Sequence, residues 1–147
     1  MKKIIVLLVF ALSTGAVNSY ANAFDPDPEQ RVLDGFKKEF PTAQQVTWSK
    51  QAEFEKAVFV LAGRRVVAFF TREGLLEGSA RDIFYDQLPL SVMTAVDKRF
   101  ENATVFEVRE INNAEGTCYR MRVESGNKKV KIKVSPDGTI SEIEKLK

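Results

Sequence analysis

The sequence predicts an α+β fold built as a tandem repeat, each unit a helix followed by an antiparallel meander of three to four strands. Three observations carry that prediction. Val32, Phe36, Phe40, Ala43 and Val46 match Val92, Val96, Phe100, Ala103 and Phe106 at a constant offset of 60. Gly63 and Gly74 match Gly126 and Gly138, the offset growing to 63 and 64. In both halves the apolar spacing changes from helical to alternating after the same stretch. A duplicated unit buries its apolar face against its own elements and its twin, and it offers a broad sheet surface rather than one deep pocket.

In chain order, Lys2 and Lys3, the apolar run Ile4 to Leu12 and the small-x-small Ala21-Asn22-Ala23 make a secretory signal with cleavage after Ala23. The apolar run is shorter than the roughly 20 residues a spanning helix needs. Cys118 is the only cysteine, so none lies near the cleavage site to carry a lipid anchor. The expected division is a signal peptide at 1–23, a flexible acidic lead-in at 24–30, and one domain at 31–147 made of two repeats, 31–84 and 85–147. Cleavage removes two lysines and no acid, so 22 basic residues become 20 against 20 acidic ones. The basic character of the full chain is thus largely a property of its signal and makes no case for nucleic acid. The mature chain is expected in the periplasm or secreted, and not integral to a membrane.

Val32, Leu33, Phe36 and Phe40 form one helical stripe, ended by Pro41; Leu88-Pro89 opens the second helix, with Val92, Val96 and Phe100 as its stripe. Strands are predicted at about 44–50, 55–62, 66–71 and 75–80, and again at about 103–111, 117–124, 129–135 and 139–144. Gly126-Asn127 is a two-residue hairpin signal. It sets Ser125 opposite Lys128, Val123 opposite Val130, Met121 opposite Ile132 and Tyr119 opposite Val134. Gly63-Arg64 is the corresponding turn in the first unit.

Alternation then assigns the faces. In the second unit Tyr119, Met121, Val123, Val130, Ile132 and Val134 lie under the helix, and the other face carries Arg120, Arg122, Glu124, Lys129, Lys131 and Lys133. Arg122 opposes Lys131 and Arg120 opposes Lys133, like charges that cost a few tenths to about 1 kcal/mol per pair. Glu107 and Glu110 on the neighbouring strand are the candidates to relieve this. In the first unit Phe59, Leu61, Val66, Ala68 and Phe70 face the helix, while Val58, Val60, Val67 and Phe69 occupy the face that is charged in the twin. Trp48 lies on the preceding strand and is a candidate for that same surface, its parity undetermined. A sheet apolar on both faces needs a second cover, from the chain, a twin subunit or a partner.

The runs Phe36–Phe40-Pro41-x-Ala43-x-x-Val46-x-Trp48 and Leu88-Pro89-x-x-Val92-x-x-Ala95, with Phe70-Thr71-Arg72-Glu73-Gly74, resemble the PepSY-like, β-lactamase-inhibitor-protein-like family of secreted bacterial proteins. The likeness covers roughly 31 to 146. It implies two α-β-β-β(-β) repeats whose strands join in one curved antiparallel sheet, helices on one face and the other face open. The second unit has Glu101 and Val108 where the first has Pro41 and Trp48. The resemblance brings no catalytic residues.

The chain has no histidine, which removes the commonest general base and metal ligand. One cysteine excludes an intramolecular disulfide and the usual zinc sites. No motif positions a serine as nucleophile, and Asp25, Asp27 and Glu29 lack a calcium-loop spacing. The expectation is a non-catalytic module without cofactor or metal, binding a protein or peptide of the cell envelope through Trp48, Val58, Val60, Val67, Phe69, Arg120, Arg122, Lys131 and Lys133. The alternative is a structural protein whose apolar sheet face makes a homodimer.

Overall fold

In a computed structural model that describes residues 27–146, the elements follow the predicted order twice. Helix α1 (Gln30–Glu39) precedes strands β1 (Gln44–Gln51), β2 (Phe54–Leu61), β3 (Arg64–Phe70) and β4 (Leu76–Asp82). A short 3-10 turn (Tyr85–Gln87) leads to helix α2 (Leu90–Arg99) and strands β5 (Thr104–Asn113), β6 (Gly116–Ser125), β7 (Lys128–Val134) and β8 (Ile140–Lys145). The described strands form one curved antiparallel sheet in chain order, each paired with its successor, with both helices on one face. The expected signal, and the start of the lead-in up to residue 26, lie outside the described residues.

Each helix forms where its stripe predicts. The buried positions of α1 are Val32 and Phe36, and those of α2 are Val92 and Val96, each pair four residues apart on one helical face. Phe40 and Phe100 cap the two C-termini, their amides returning to the carbonyls of Phe36 and Val96 at 2.8 and 2.9 Å. Pro89 stands at the N-cap of α2, where its missing N–H leaves no intrahelical bond unmade.

The β6–β7 hairpin has the register its sequence predicts, from Ser125 opposite Lys128 to Tyr119 opposite Val134. The first hairpin differs. Leu61 opposes Arg64, so Ala62 and Gly63 make the turn, with φ of 48° and 74°, the two positive values of a type I′ turn. Moving the turn by one residue moves each cross-strand partner by two, so the face assignments are unchanged.

Two bulges also differ from the simple repeat. Gln44 opposes Val60 but Thr47 opposes Val58, and Phe106 opposes Arg122 but Arg109 opposes Arg120. The extra residues, Gln45 and Glu107, sit at φ 53° and 51°. The two bulges occupy equivalent places, and structural equivalence runs at an offset of 62 on both sides of them, pairing Val46 with Val108 and Phe59 with Met121. Phe106 corresponds to Gln44 rather than to Val46, and Trp48 corresponds to Glu110.

Against Val32 and Phe36 of α1 lie Ala57, Phe59, Val66, Ala68 and Phe70 of the sheet, with Phe40, Val46, Trp48 and Leu61 at the margin. Beneath α2 lie Val108, Tyr119, Met121, Val123, Val130, Ile132 and Val134. Between these two apolar clusters, at the β4–β5 junction, the same face is polar. Arg81 donates from Nε to Glu110 Oε1 at 3.0 Å, Asn112 Nδ2 donates to Glu110 at 3.3 Å, and Thr117 Oγ1 donates to Asn112 Oδ1 at 2.6 Å.

The contact that seats each helix is a glycine. A Cβ on Gly74, in the β3–β4 turn, would lie 2.2 Å from the Arg31 carbonyl oxygen, and one on Gly35 would lie 2.1 Å from the Gly74 oxygen. In the second unit a Cβ on Gly138 would lie 2.7 Å from the Ser91 oxygen and 3.2 Å from the Ala95 Cβ. Ser91 Oγ also donates to the Pro136 carbonyl, tying that turn to α2. Gly74→Ala is expected to lower stability by about 2–4 kcal/mol, from positive φ plus a backbone clash. Gly63→Ala, where a Cβ meets nothing within 4 Å, should cost only the φ term, about 1 kcal/mol. Urea midpoints for the two variants test this.

Tyr85 fastens the connection to α2: its hydroxyl lies 2.8 Å from Asp97 Oδ1 and 3.2 Å from the Met93 carbonyl. Burial, then the bond to Asp97 and its negative charge, push the Tyr85 phenol from 10.0 up to about 12. Burial raises Tyr119 as well, with Glu110 adding to it. The folded chain thus holds a proton that an unfolded tyrosine loses near 10, so stability is fully present below that pH and falls as pH rises toward 12. Tyrosinate absorbance should show Tyr85 titrating late, and Tyr85→Phe should flatten the alkaline loss of stability.

Candidate binding face

On the face away from the helices, the register lines residues up into rows that cross the strands. One row is apolar: Val58, Val67, Ala80, Ile111 and Cys118, from β2 to β6. Val58 and Cys118 are half-buried, and Val67, Ala80 and Ile111 are buried at 7 %, 3 % and 3 % exposure. No described helix contributes to this face, since the buried positions of α1 and α2 belong to the clusters opposite.

The adjacent row is charged: Asp82, Arg109, Arg120 and Lys133 follow one another across β4, β5, β6 and β7. Arg109 Nε lies 2.9 Å from Asp82 Oδ1. Next to it, Arg122 opposes Lys131, which in turn opposes Glu144. Arg122 Nη1 pairs with Glu107 Oε1 at 3.2 Å, and Lys129 pairs with Glu124 at 3.0 Å. Glu107 therefore relieves the cationic block, as the sequence suggests. Glu110 does not, because the β5–β6 hairpin sets it opposite Tyr119 on the helix side, where it binds Arg81.

The sequence-predicted residues divide as follows. Arg120, Arg122, Lys131 and Lys133 share one block of two neighbouring strands, all half-buried. Val58 and Val60 are half-buried on the same face. Val67 and Phe69 share it too but are buried, at 7 % and 2 %, so they form floor rather than accessible surface. The physical reason is their strand: β3 is interior, with Val67 flanked by Val58 and Ala80, and Phe69 by Lys56 and Gly78.

Trp48 does not belong to the face. The β1–β2 hairpin register, running from Gln51 opposite Phe54, sets it opposite Ala57, under α1, with its ring 5.2 Å from that of Phe36 and edge-on to it. Ala80, Ile111, Asp82 and Arg109 were not legible as members, because the β4–β5 register has no tight turn to announce it. Phe106, which the offset of 60 matches to Val46, stands on this face, 41 % exposed and opposite Arg122.

Among the described residues no group of three or more His, Cys, Asp or Glu side chains could hold a metal ion, and no helix is long and apolar enough to cross a membrane. The placement of Phe106 has a direct consequence for stability. Phe106→Ala should change stability by less than about 0.5 kcal/mol, whereas Val108→Ala, in the core, should cost about 2 kcal/mol or more. Denaturant melts of the two variants distinguish the equivalences.

No protein-family model matches the chain, and no curated relative does so by sequence. Among solved structures, the fold is similar to that of a candidate periplasmic protein from Bacteroides eggerthii, with a TM-score of 0.73 and 23 % identity over 81 % of this chain and 89 % of that one. A BLIP-like protein from Bacteroides fragilis matches with a TM-score of 0.71 and 24 % identity over 82 % and 87 %. A DUF2874 family protein from Bacteroides uniformis matches with a TM-score of 0.73 and 22 % identity over 81 % and 90 %. At these identities the likeness is one of fold.

Proposed function

We propose that this chain is an exported, non-catalytic binding module that docks a protein or peptide of the cell envelope on the sheet face away from its helices. One observation carries the reading: an apolar row of five strands' width lies directly beside a charged row on that face. Such a juxtaposition suits a partner with an apolar centre and a polar rim. Val58 and Val60 are the accessible apolar contacts, with Val67 and Phe69 beneath, and Arg120, Arg122, Lys131 and Lys133 are the polar ones. In this reading residues 1–23 are a signal peptide, 24–30 a lead-in and 31–147 one PepSY-like domain. The candidate periplasmic and BLIP-like fold neighbours are in keeping with it. It requires neither cofactor nor nucleic acid.

The same apolar row favours a second reading, in which a twin subunit covers it. A photo-crosslinking side chain at position 60, with a control at Lys37 on the exposed side of α1, separates the two. Capture in envelope extracts of a different polypeptide at position 60 only, by a chain that light scattering finds monomeric, is the expected result. A crosslinked species of twice the chain's mass, with a dimer abolished by Val60→Glu, would establish the structural reading instead.

A further inference from the structure

Resting on the docking reading, we infer that the partner presents an extended acidic polypeptide segment, with carboxylates at alternate positions, to the block formed by Arg120, Arg122, Lys131 and Lys133. These four cations occupy two positions each on adjacent antiparallel strands, directly opposite one another. Sheet geometry spaces such a block at about 4.8 Å between strands and about 6.8 Å along them. Side chains on one face of an extended peptide repeat at the same interval of about 6.8 Å, so alternate carboxylates meet Arg120 and Arg122, or Lys133 and Lys131, in step.

The block is bounded rather than part of a wide positive field. Glu107, Glu124 and Glu144 border it, and Asp82 holds Arg109 on the side of the apolar row. A uniformly charged polyanion laid across the face would run onto those carboxylates. A segment with a few spaced acids and apolar neighbours would not. Phe106, 41 % exposed opposite Arg122, gives such a segment an apolar contact at the edge of the block.

Arg122 has capacity left for an incoming carboxylate. Its Nη1 is engaged by Glu107, while its Nε is buried and has no hydrogen-bond acceptor. The two Nη groups at the head of the guanidinium can hold one carboxylate bidentately, with Glu107 displaced or sharing Nη1.

The experiment uses fluorescence anisotropy with a short synthetic peptide carrying glutamate at alternate positions and a leucine at one end. Its isomer has the same composition with the glutamates contiguous. The purified protein should bind the alternating peptide, more weakly as salt is raised, and bind the isomer more weakly. Lys131→Glu and Arg122→Gln, checked by circular dichroism for an unchanged fold, should each weaken binding about tenfold or more. Lys131→Gln should fall between wild type and Lys131→Glu.

Equal affinity for the isomer, or for inorganic polyphosphate with no loss in Lys131→Glu, would overturn the inference. So would failure of both peptides to bind while position 60 still captures its envelope partner, and in that case the docking reading would survive alone. Peptide binding that depends on Lys131, without any capture at position 60, would uphold the acidic-segment inference and sink the envelope-partner reading.

Discussion

The close approach of a turn glycine to each helix is the contact on which the two faces of the sheet depend. At Gly74 and Gly35 backbone meets backbone with no room for a methyl group on either side. That contact fixes how deep α1 sits, and hence that Phe36 reaches the rings of Phe59, Phe70 and Trp48 at centroid distances of 5.0, 5.9 and 5.2 Å. Gly138 repeats the arrangement against Ser91 and Ala95, where a Cβ would still lie 2.7 Å from the Ser91 oxygen. Once both helices are pinned to one side, every alternate residue of the sheet is committed to the other.

The two units use this scaffold with different filling. The first core is aromatic, and T-shaped or tilted ring contacts link Phe36, Phe40, Trp48, Phe59 and Phe70. The second is mostly aliphatic, with Val92, Val96, Val123 and Val134 fully buried. Volume is exchanged between equivalent positions: Ala57 and Ala68, opposite each other in the first unit, correspond to Tyr119 and Val134, opposite each other in the second. Small residues under a large aromatic helix side chain, and larger ones under valines, reach a similar close-packed filling by opposite routes. The strip joining the cores is held by Arg81, Glu110, Asn112 and Thr117 instead, none of which belongs to either apolar cluster.

Most of this architecture could be read from residue spacing, because period and turn chemistry agree along the chain. The helical stripes of Val32/Phe36 and Val92/Val96, and the Gly126-Asn127 hairpin with its full register, are local signals with one physical solution. What escaped the reading came from bulges. Gln45 and Glu107 adopt positive φ without being glycine, so nothing in their chemistry marks an extra residue in the strand. The extra residue at Glu107 brings Phe106 out beside Arg122, while Trp48 and Glu110, on the hairpin side of their bulges, keep the register of the β1–β2 and β5–β6 turns and face the helices. The first hairpin slipped for a related reason. Ala62 at φ 48° is not a turn signal, whereas Gly63 next to it is. The apolar row on the far face was half legible: Val58 and Val67 follow from the hairpin, but Ala80 and Ile111 join it only through the β4–β5 pairing.

The cationic block carries a local electrostatic cost of its own. Two like-charged cross-strand pairs, Arg120 with Lys133 and Arg122 with Lys131, each cost a few tenths to about 1 kcal/mol. The ion pairs around them, Arg122 with Glu107 and Lys129 with Glu124, involve side chains 27 % to 56 % exposed, where such pairs return about 0–1 kcal/mol each. On the other side β8 sets Glu144 opposite Lys131 and Glu142 opposite Lys133, so acidic residues frame the block within the fold. Uncharged β-branched residues at Lys131 and Lys133 would pair as well across the strands and carry higher strand propensity. The way the block is bounded, with carboxylates at its borders and an exposed phenylalanine at its edge, is the feature from which an extended acidic partner segment is proposed.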